Sequence, residues 1–476
     1  MTTQSPVRVR FAPSPTGHLH IGGLRTALFN LLFAKHNKGT FLLRLEDTDL
    51  ERSKDEYTQA ILQALEWTNI ASDEPMVIQS ERLERHLEVI DMLLANKRAY
   101  KCYCTPEELL VRLAAQNIDP EFVKYDGHCR SVLPQEGKSF VIRFALPDEQ
   151  TITFNDLIRG EITFDKDQFD DFIIARSDGR PVYNFVVVVD DADMGITHVI
   201  RGEDHISNTP KQIMLHKACG FTPPQFAHLP LILGQSGQPL SKRDAATSAL
   251  EYKQLGYLPD ALVNYLARLG WSHGDQELFT REELINYFSL DHVGKKGAIF
   301  DMAKLGWVNS MYMKEMSDEA ALAAIKDIRP RFEAELSRFN KAQLLALINL
   351  YKQRTKTLVE LADEIKMVYD GSNPFLDDEL AQWVNKDTVA HMKQIYKTLD
   401  ELESFGLPQV TDAVKAIAKE HELKIVAVAQ PLRIALIHKT AGPGVFELAT
   451  ILGKELTLSR IESFITYIQE HMPIAR

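Results

Sequence analysis

The residues best able to do chemistry stand near the start of the chain. His18 and His20 flank what reads as a turn into a helix, with Gly22 and Gly23 just inside it. Glycines there let a ligand approach a helix N-terminus, where free backbone N–H groups and the helix dipole favour phosphate. The histidines can donate to its oxygens, and a loop far downstream, Ser241-Lys242-Arg243, offers positive charge from the other side. Ser14, Glu46, Asp190 and Arg201 lie at the ends of segments that read as strands. So many polar groups along one sheet edge would be costly to desolvate without partners, which favours a site. The chemistry that fits is attack of a carboxylate on the α-phosphate of a triphosphate. A carboxylate is already a nucleophile at neutral pH, so the protein need only position the reactants and stabilise charge.

A second group is Cys102, Cys104 and Cys129, with Cys219 apart. Four cysteines in a chain of 476 residues are no disulfide framework, and clustered thiols suggest a metal first. They supply three soft ligands where structural zinc takes four, and His128 is too close to Cys129 to share an ion without a strained loop.

The elements that must position these residues follow from periodicity. Val7, Val9 and Phe11 alternate as in a strand, Pro13, Pro15 and Gly17 break it, and Leu24, Leu28, Leu31 and Leu32 recur at helical spacing. Phe41 to Leu45 reads as a second strand, completing a βαβ unit, which implies a parallel sheet with ligands beyond the strands' carboxyl ends. A later helix should bury Leu83, Leu87, Ile90 and Leu94. Short alternating runs around Phe144, Phe154 and Phe164 interrupt the α/β rhythm and suggest an antiparallel insertion. The continuous apolar run Tyr183 to Asp191 then predicts a central strand buried on both faces. Strands from His198 and His228, and a helix from Pro210 to Gly220, follow. From Asp318 onward the pattern is helical, broken near Gly371 and Pro374, with a basic track of Arg329, Arg331, Lys352, Arg354 and Lys356.

Composition narrows the classes. Hydrophobic residues at 45% and charged residues at 25% are those of an ordinary globular chain. No stretch of about 18 apolar residues and no apolar leader is present, so membrane and secretory classes lose support and the cytoplasm is the expectation. A net charge of −12 excludes a protein coated for indiscriminate nucleic-acid binding, though not a local basic track.

At this point the segments Phe11-Ala12-Pro13-Ser14-Pro15-Thr16-Gly17, His20-Ile21-Gly22-Gly23, Arg44-Leu45-Glu46-Asp47-Thr48-Asp49, Arg201-Gly202-Glu203-Asp204 and Leu240-Ser241-Lys242-Arg243 together resemble the bacterial glutamyl-tRNA synthetases, a family of class I aminoacyl-tRNA synthetases. The resemblance continues through Asn264 to Ser272 and Gln430 to Arg433. It implies a Rossmann-type parallel-sheet catalytic domain with an inserted α+β acceptor-binding subdomain, followed by an all-α anticodon-binding domain. The expected divisions are 1–100 and 183–240 for the two catalytic halves, 101–182 for the insertion, 241–317 for a lysine-loop and stem-contact helical domain, and 318–476 for two helical bundles. The implied reaction joins L-glutamate to ATP, with Mg²⁺, to give glutamyl-adenylate, then transfers glutamate to the 3′ end of tRNA(Glu). By the family pattern Arg10, Ala12, Ser14, Glu46, Tyr183 and Arg201 hold glutamate. His18, His20, Gly22, Gly23, Ser241, Lys242 and Arg243 hold ATP, with His20 and Lys242 acting at the transition state, and Arg354 reads the anticodon. The resemblance also implies a monomer with no membrane partner.

Three positions depart from the pattern. Pro239 stands where the lysine-loop motif usually begins with Lys, which puts a larger share of phosphate stabilisation on Lys242. Gly23 replaces the class's second histidine, a common form in this family. Ser131 stands where zinc-bearing members have histidine, leaving zinc at Cys102, Cys104 and Cys129 without a fourth ligand. The nearest alternative function also glutamylates tRNA(Gln), although Arg354 leans towards discrimination. A small-molecule adenylyltransferase would have no use for the C-terminal bundles. A catalytically dead tRNA-binding module would have no reason to keep His20 and Lys242.

Overall fold

The computed structural model describes residues 6–49, 51–115, 124–240, 248–371 and 382–471. Two compact units are present, one running to Tyr252 and including Pro259–Leu305, the other made of Lys253–Leu258 and the chain from Gly306 onward.

The first unit begins as expected. Strand β1 (Arg8–Phe11), helix α1 (Ile21–His36) and strand β2 (Thr40–Leu45) form a βαβ unit, with β1 and β2 parallel in the register Arg8↔Thr40 to Phe11↔Leu43. Helix α1 is buried on nearly every face, from Ile21 through Leu24, Leu28 and Leu32, because the sheet and neighbouring helices enclose it. Gly39 precedes β2 because a Cβ there would meet the Val7 carbonyl oxygen at 2.3 Å. Helix α2 (Asp55–Trp67) leads to β3 (Val77–Ile78), parallel to β2, and then to helix α3 (Leu83–Ala95).

The buried face of α3 differs from expectation. His86, Val89, Ile90 and Leu93 face inward while Leu83 and Leu87 are exposed. The face is rotated because His86 is drawn inward by a hydrogen bond to the buried carboxylate of Asp190 at 2.8 Å.

The interrupting region holds strands β4 (Ala99–Cys102), β5 (Val141–Phe144), β6 (Thr151–Asp156), β7 (Gly160–Asp165) and β8 (Ile173–Ala175), with helix α4 (Pro106–Ala115). Strands β4, β5 and β8 form an antiparallel sheet, while the β6–β7 hairpin joins the main α/β body.

Tyr183–Asp193 is a helix, α5, and not the central strand its composition suggests. A run that is apolar on every side reads alike for a buried strand and a buried helix, since neither leaves a polar period. Phe185 to Val189 pack against Val89, Ile90 and Leu93 of α3, so tertiary burial overrides the β preference of the valines. The helical form matters for the site. Successive helical side chains diverge by about 100°, so Asp190 turns to Gln79, Arg82 and His86 while Asp191 turns to Arg10 and Arg44.

Strand β9 (His198–Gly202), helix α6 (Thr209–Cys219) and strand β10 (Gln225–Leu229) complete the α/β body. β9 and β10 are parallel, and β10 also pairs with β6 at Phe226↔Asp156. Thr197, just before β9, donates to the Arg8 carbonyl at 2.9 Å and brings β9 beside β1. The carboxyl ends of β1, β2, β9 and β10 therefore share one edge.

The second unit is helical, with Asp318–Ile328, Lys341–Lys352, Leu358–Asp370, Thr388–Asp400, Leu407–Glu420, Val426–Ile437, Val445–Leu452 and Lys454–His471. Ser317, Asn340 and Thr357 cap three of these helices through their side chains. Among the described residues no helix is long and apolar enough to cross a membrane.

Candidate active site

A cavity of about 430 Å³ opens at the shared strand edge. Arg10, Ala12, Ser14, Glu46, Tyr183 and Arg201 line it, and so do His18, His20, Gly22 and Gly23. Residues up to 191 positions apart in sequence are thus brought together because every contributing loop leaves the same edge of a parallel sheet.

At one end lies the α1 N-terminus. The Gly23 backbone N–H donates to His20 Nδ1 at 3.0 Å, which makes His20 the helix cap. A backbone amide can only donate, so Nδ1 is the bare nitrogen and Nε2 carries the proton. Desolvation lowers the His20 imidazole below its usual value against the opposing pull of Asp204. The ring is therefore neutral at neutral pH, with one donor to offer. Gly22 leaves the ring room, since a Cβ there would stand about 3.0 Å from Nδ1.

At the other end is a buried charge cluster. Arg44 is 0% exposed and donates to Asp191 at 2.6 Å and Glu46 at 3.1 Å. Arg10 donates to both oxygens of Asp191, at 3.0 and 3.3 Å. Burial alone would raise the Asp191 carboxyl, but Arg10 and Arg44 hold it well below the usual carboxylate range. Burial raises Glu46 despite the two arginines. Arg201, 6% exposed, makes no ion pair among the described residues, and its Nη1 is buried without a partner. Arg10, Arg44 and Arg201 against Glu46 and Asp191 leave one positive charge. A ligand with a net charge of −1, carrying carboxylates for the arginines and an ammonium for Glu46, would complete the cluster.

Several residues of this site escaped the sequence reading. Tyr183 hydroxyl pairs with His205 Nδ1 at 3.2 Å, and His205 and Asp204 line the cavity. Arg25, also in the wall, donates to the carbonyls of Pro230 and Leu269 and so ties α1 to two loops. Arg44 had a signal, because an arginine inside the apolar strand Phe41 to Leu45 must find a buried counter-charge. Asp191 had one as the second of two adjacent carboxylates, but the strand assignment hid its partner.

Ser241, Lys242 and Arg243 lie outside the described residues. On either side, Leu240 donates its N–H to Ile232 O at 3.0 Å, and Ser248 bridges to His20. Arg354 is in the second unit, exposed just beyond the helix Lys341–Lys352.

The thiols of Cys102, Cys104 and Cys129 all lie within 4.8 Å of one another. Tyr125 reaches into the group, with its hydroxyl 3.3 Å from Cys102 Sγ and 3.9 Å from Cys104 Sγ. Three sulfurs and a phenol oxygen therefore stand together, and the three sulfurs are soft ligands of the kind zinc takes.

Residues 6–307 match the family model of the class I tRNA synthetases (E and Q), catalytic domain, and residues 321–465 match an anticodon binding domain. A glutamate–tRNA ligase from Thermodesulfovibrio yellowstonii is 46% identical over 461 residues, covering 96% of this chain and 99% of the relative. One from Geobacter sulfurreducens is 43% identical over 98% of this chain and 100% of its own length. Among solved structures, a glutamate tRNA ligase from Elizabethkingia meningosepticum, crystallised in complex with its amino acid, superposes with a TM-score of 0.87 at 34% identity, covering 97% of this chain and 99% of that one.

Proposed function

This chain belongs to the glutamate–tRNA ligases, class I tRNA synthetases, and from that premise we propose how its cavity activates glutamate. The observation that carries the reading is the buried cluster with one surplus positive charge, in a cavity that continues to the α1 N-terminus. Glutamate has the matching charges. Its side-chain carboxylate faces Arg201, whose Nη1 is free, or Arg10, and its ammonium faces Glu46. ATP enters as its magnesium complex and rests its phosphates on the α1 N-terminus, beside His18, Gly22, Gly23 and the His20 Nε2–H.

The α-carboxylate oxygen of glutamate forms a bond to the α-phosphorus, the bond to the bridging oxygen breaks, and pyrophosphate leaves. His20 donates to the phosphate oxygens as charge builds on them, and Lys242, with Ser241 and Arg243, neutralises the departing pyrophosphate. No general base is required. The ribose hydroxyl at the tRNA 3′ end then attacks the mixed anhydride and AMP departs. The insertion, residues 101–182, is the surface proposed for the tRNA acceptor end, and the helical second unit for the anticodon through Arg354. Zinc, when bound by Cys102, Cys104, Cys129 and Tyr125, would cross-link that insertion and take no part in the chemistry.

Charging assays with separate glutamate and glutamine tRNAs test the reading. The expected result is ATP-dependent glutamylation of tRNA(Glu), with tRNA(Gln) charged poorly until Arg354→Gln relaxes the choice. Failure to charge tRNA(Glu) with glutamate would reject the function, and equal charging of both tRNAs by the unmodified enzyme would reject the discriminating form. For zinc, elemental analysis is expected to give about one atom per chain, falling in Tyr125→Phe. A content near zero in the unmodified protein would retire the site.

A further inference from the structure

We infer that Asp156, His228 and Thr209 are positioning residues that aim Arg201 at the substrate carboxylate. The inference rests on the proposed role of Arg201 in holding glutamate. Arg201 Nε donates to His228 Nε2 at 3.3 Å, and its Nη2 donates to Thr209 Oγ1 at 2.7 Å, which leaves Nη1 without a partner in a residue that lines the cavity. His228 is 0% exposed, and its Nδ1 lies 2.6 Å from Asp156 Oδ2. A carboxylate can only accept, so Nδ1 carries the proton and Nε2 presents a lone pair to Arg201.

Asp156 is itself immobilised. Its Oδ1 accepts the backbone N–H groups of Ile158 and Arg159, both at 2.9 Å, so the carboxylate cannot rotate away from His228. The chain of contacts thus runs from β6, in the inserted region, through β10 to β9 and the start of α6.

A simple stitch between β6 and β10 would account for Asp156 and His228. It would not account for Thr209, whose buried hydroxyl touches Arg201, His228 and the carbonyl of His205. These partners gather around the arginine, which faces His228 across the β9–β10 pairing. A guanidinium held at two edges loses less freedom on meeting a carboxylate than a free one, which lowers the cost of binding.

The experiment compares aminoacylation by the full-length enzyme and its Thr209→Val, Thr209→Ser, Asp156→Asn and Arg201→Gln variants. Thr209→Val is expected to raise the glutamate KM about tenfold, the loss of one hydrogen bond to a charged group. The ATP KM should stay unchanged, and Thr209→Ser, which keeps the hydroxyl, should behave as the unmodified enzyme. Asp156→Asn should be worse. Its oxygen is needed by two backbone donors, so its NH₂ faces His228 Nδ1 and drives the ring to the Nε2–H tautomer, a donor facing the Arg201 donor. The inference is overturned if Thr209→Val leaves the glutamate KM within about twofold while Arg201→Gln raises it, or if Thr209→Ser is as impaired as Thr209→Val. An unchanged glutamate KM in Arg201→Gln would instead overturn the assignment of Arg201. The Thr209 pair decides the matter even if Asp156→Asn does not fold.

Discussion

Replacing Arg44 with methionine is expected to destabilise the protein by about 3–5 kcal/mol, the usual penalty for removing one partner of a buried ion pair. Arg44 is fully buried and is the guanidinium shared by Asp191 and Glu46. Methionine fills much of the same volume, so lost packing contributes little. What remains is Glu46 without its ion-pair partner and Asp191 served by Arg10 alone. Urea unfolding followed by a spectroscopic probe measures the loss. A decrease below about 1 kcal/mol would mean that the cluster rearranges or admits water. Because Glu46 faces the cavity, the same variant should also raise the glutamate KM.

The second large effect is on turnover. His20→Asn is expected to lower the aminoacylation kcat by about a hundredfold or more while leaving stability within a few tenths of a kcal/mol. Asparagine is a good helix cap and can accept from the Gly23 N–H as Nδ1 does, but it is too short to place a donor where Nε2–H stands. His20→Ala should lose the same turnover and, in addition, about 1 kcal/mol of stability. Near-normal turnover in His20→Asn would remove the histidine from the chemistry and leave it a cap. The pH dependence has a definite sign. The folded protein lowers the His20 value, so the neutral ring contributes its cap fully above the unfolded value and loses it as pH falls through the folded one. The acid-side fall in activity should accordingly lie at a lower pH than titration of an ordinary histidine would give.

The two variants probe parts of the molecule that were unequally visible in the sequence. His20, Gly22 and the turn around them announce themselves because the cap, the glycines and the start of the helical period lie within a few residues. Arg44 stands in the sequence as a charge inside an apolar strand, a signal that a buried counter-charge exists but one that names no partner. The thiol cluster shows the same division. The cysteines are legible in the sequence as a group, whereas Tyr125 carries no signal of belonging to it until folding brings its hydroxyl among them. Leu83 and Leu87 were misplaced because His86, a polar residue, takes the inward face through Asp190.

Residue types and local spacing by themselves determined the βαβ opening, the glycine turn into α1 and the family resemblance, which in turn named Arg10, Ala12, Ser14, Glu46, Tyr183 and Arg201 among the residues that line the cavity. Those features depend on backbone preferences and hydrophobic periods that span one or two elements, and such signals survive in a linear text. The tertiary structure alone decided that Tyr183–Asp193 is a helix, since a run buried on every side has no period to read. It alone paired Asp191 with Arg10 and Arg44, and Asp156 with a histidine 72 residues away. These contacts join elements distant in the chain, and which groups meet depends on the order in which strands and helices pack. Buried charges then have to find their counterparts within that packing, because leaving them unpaired costs more than most single contacts contribute.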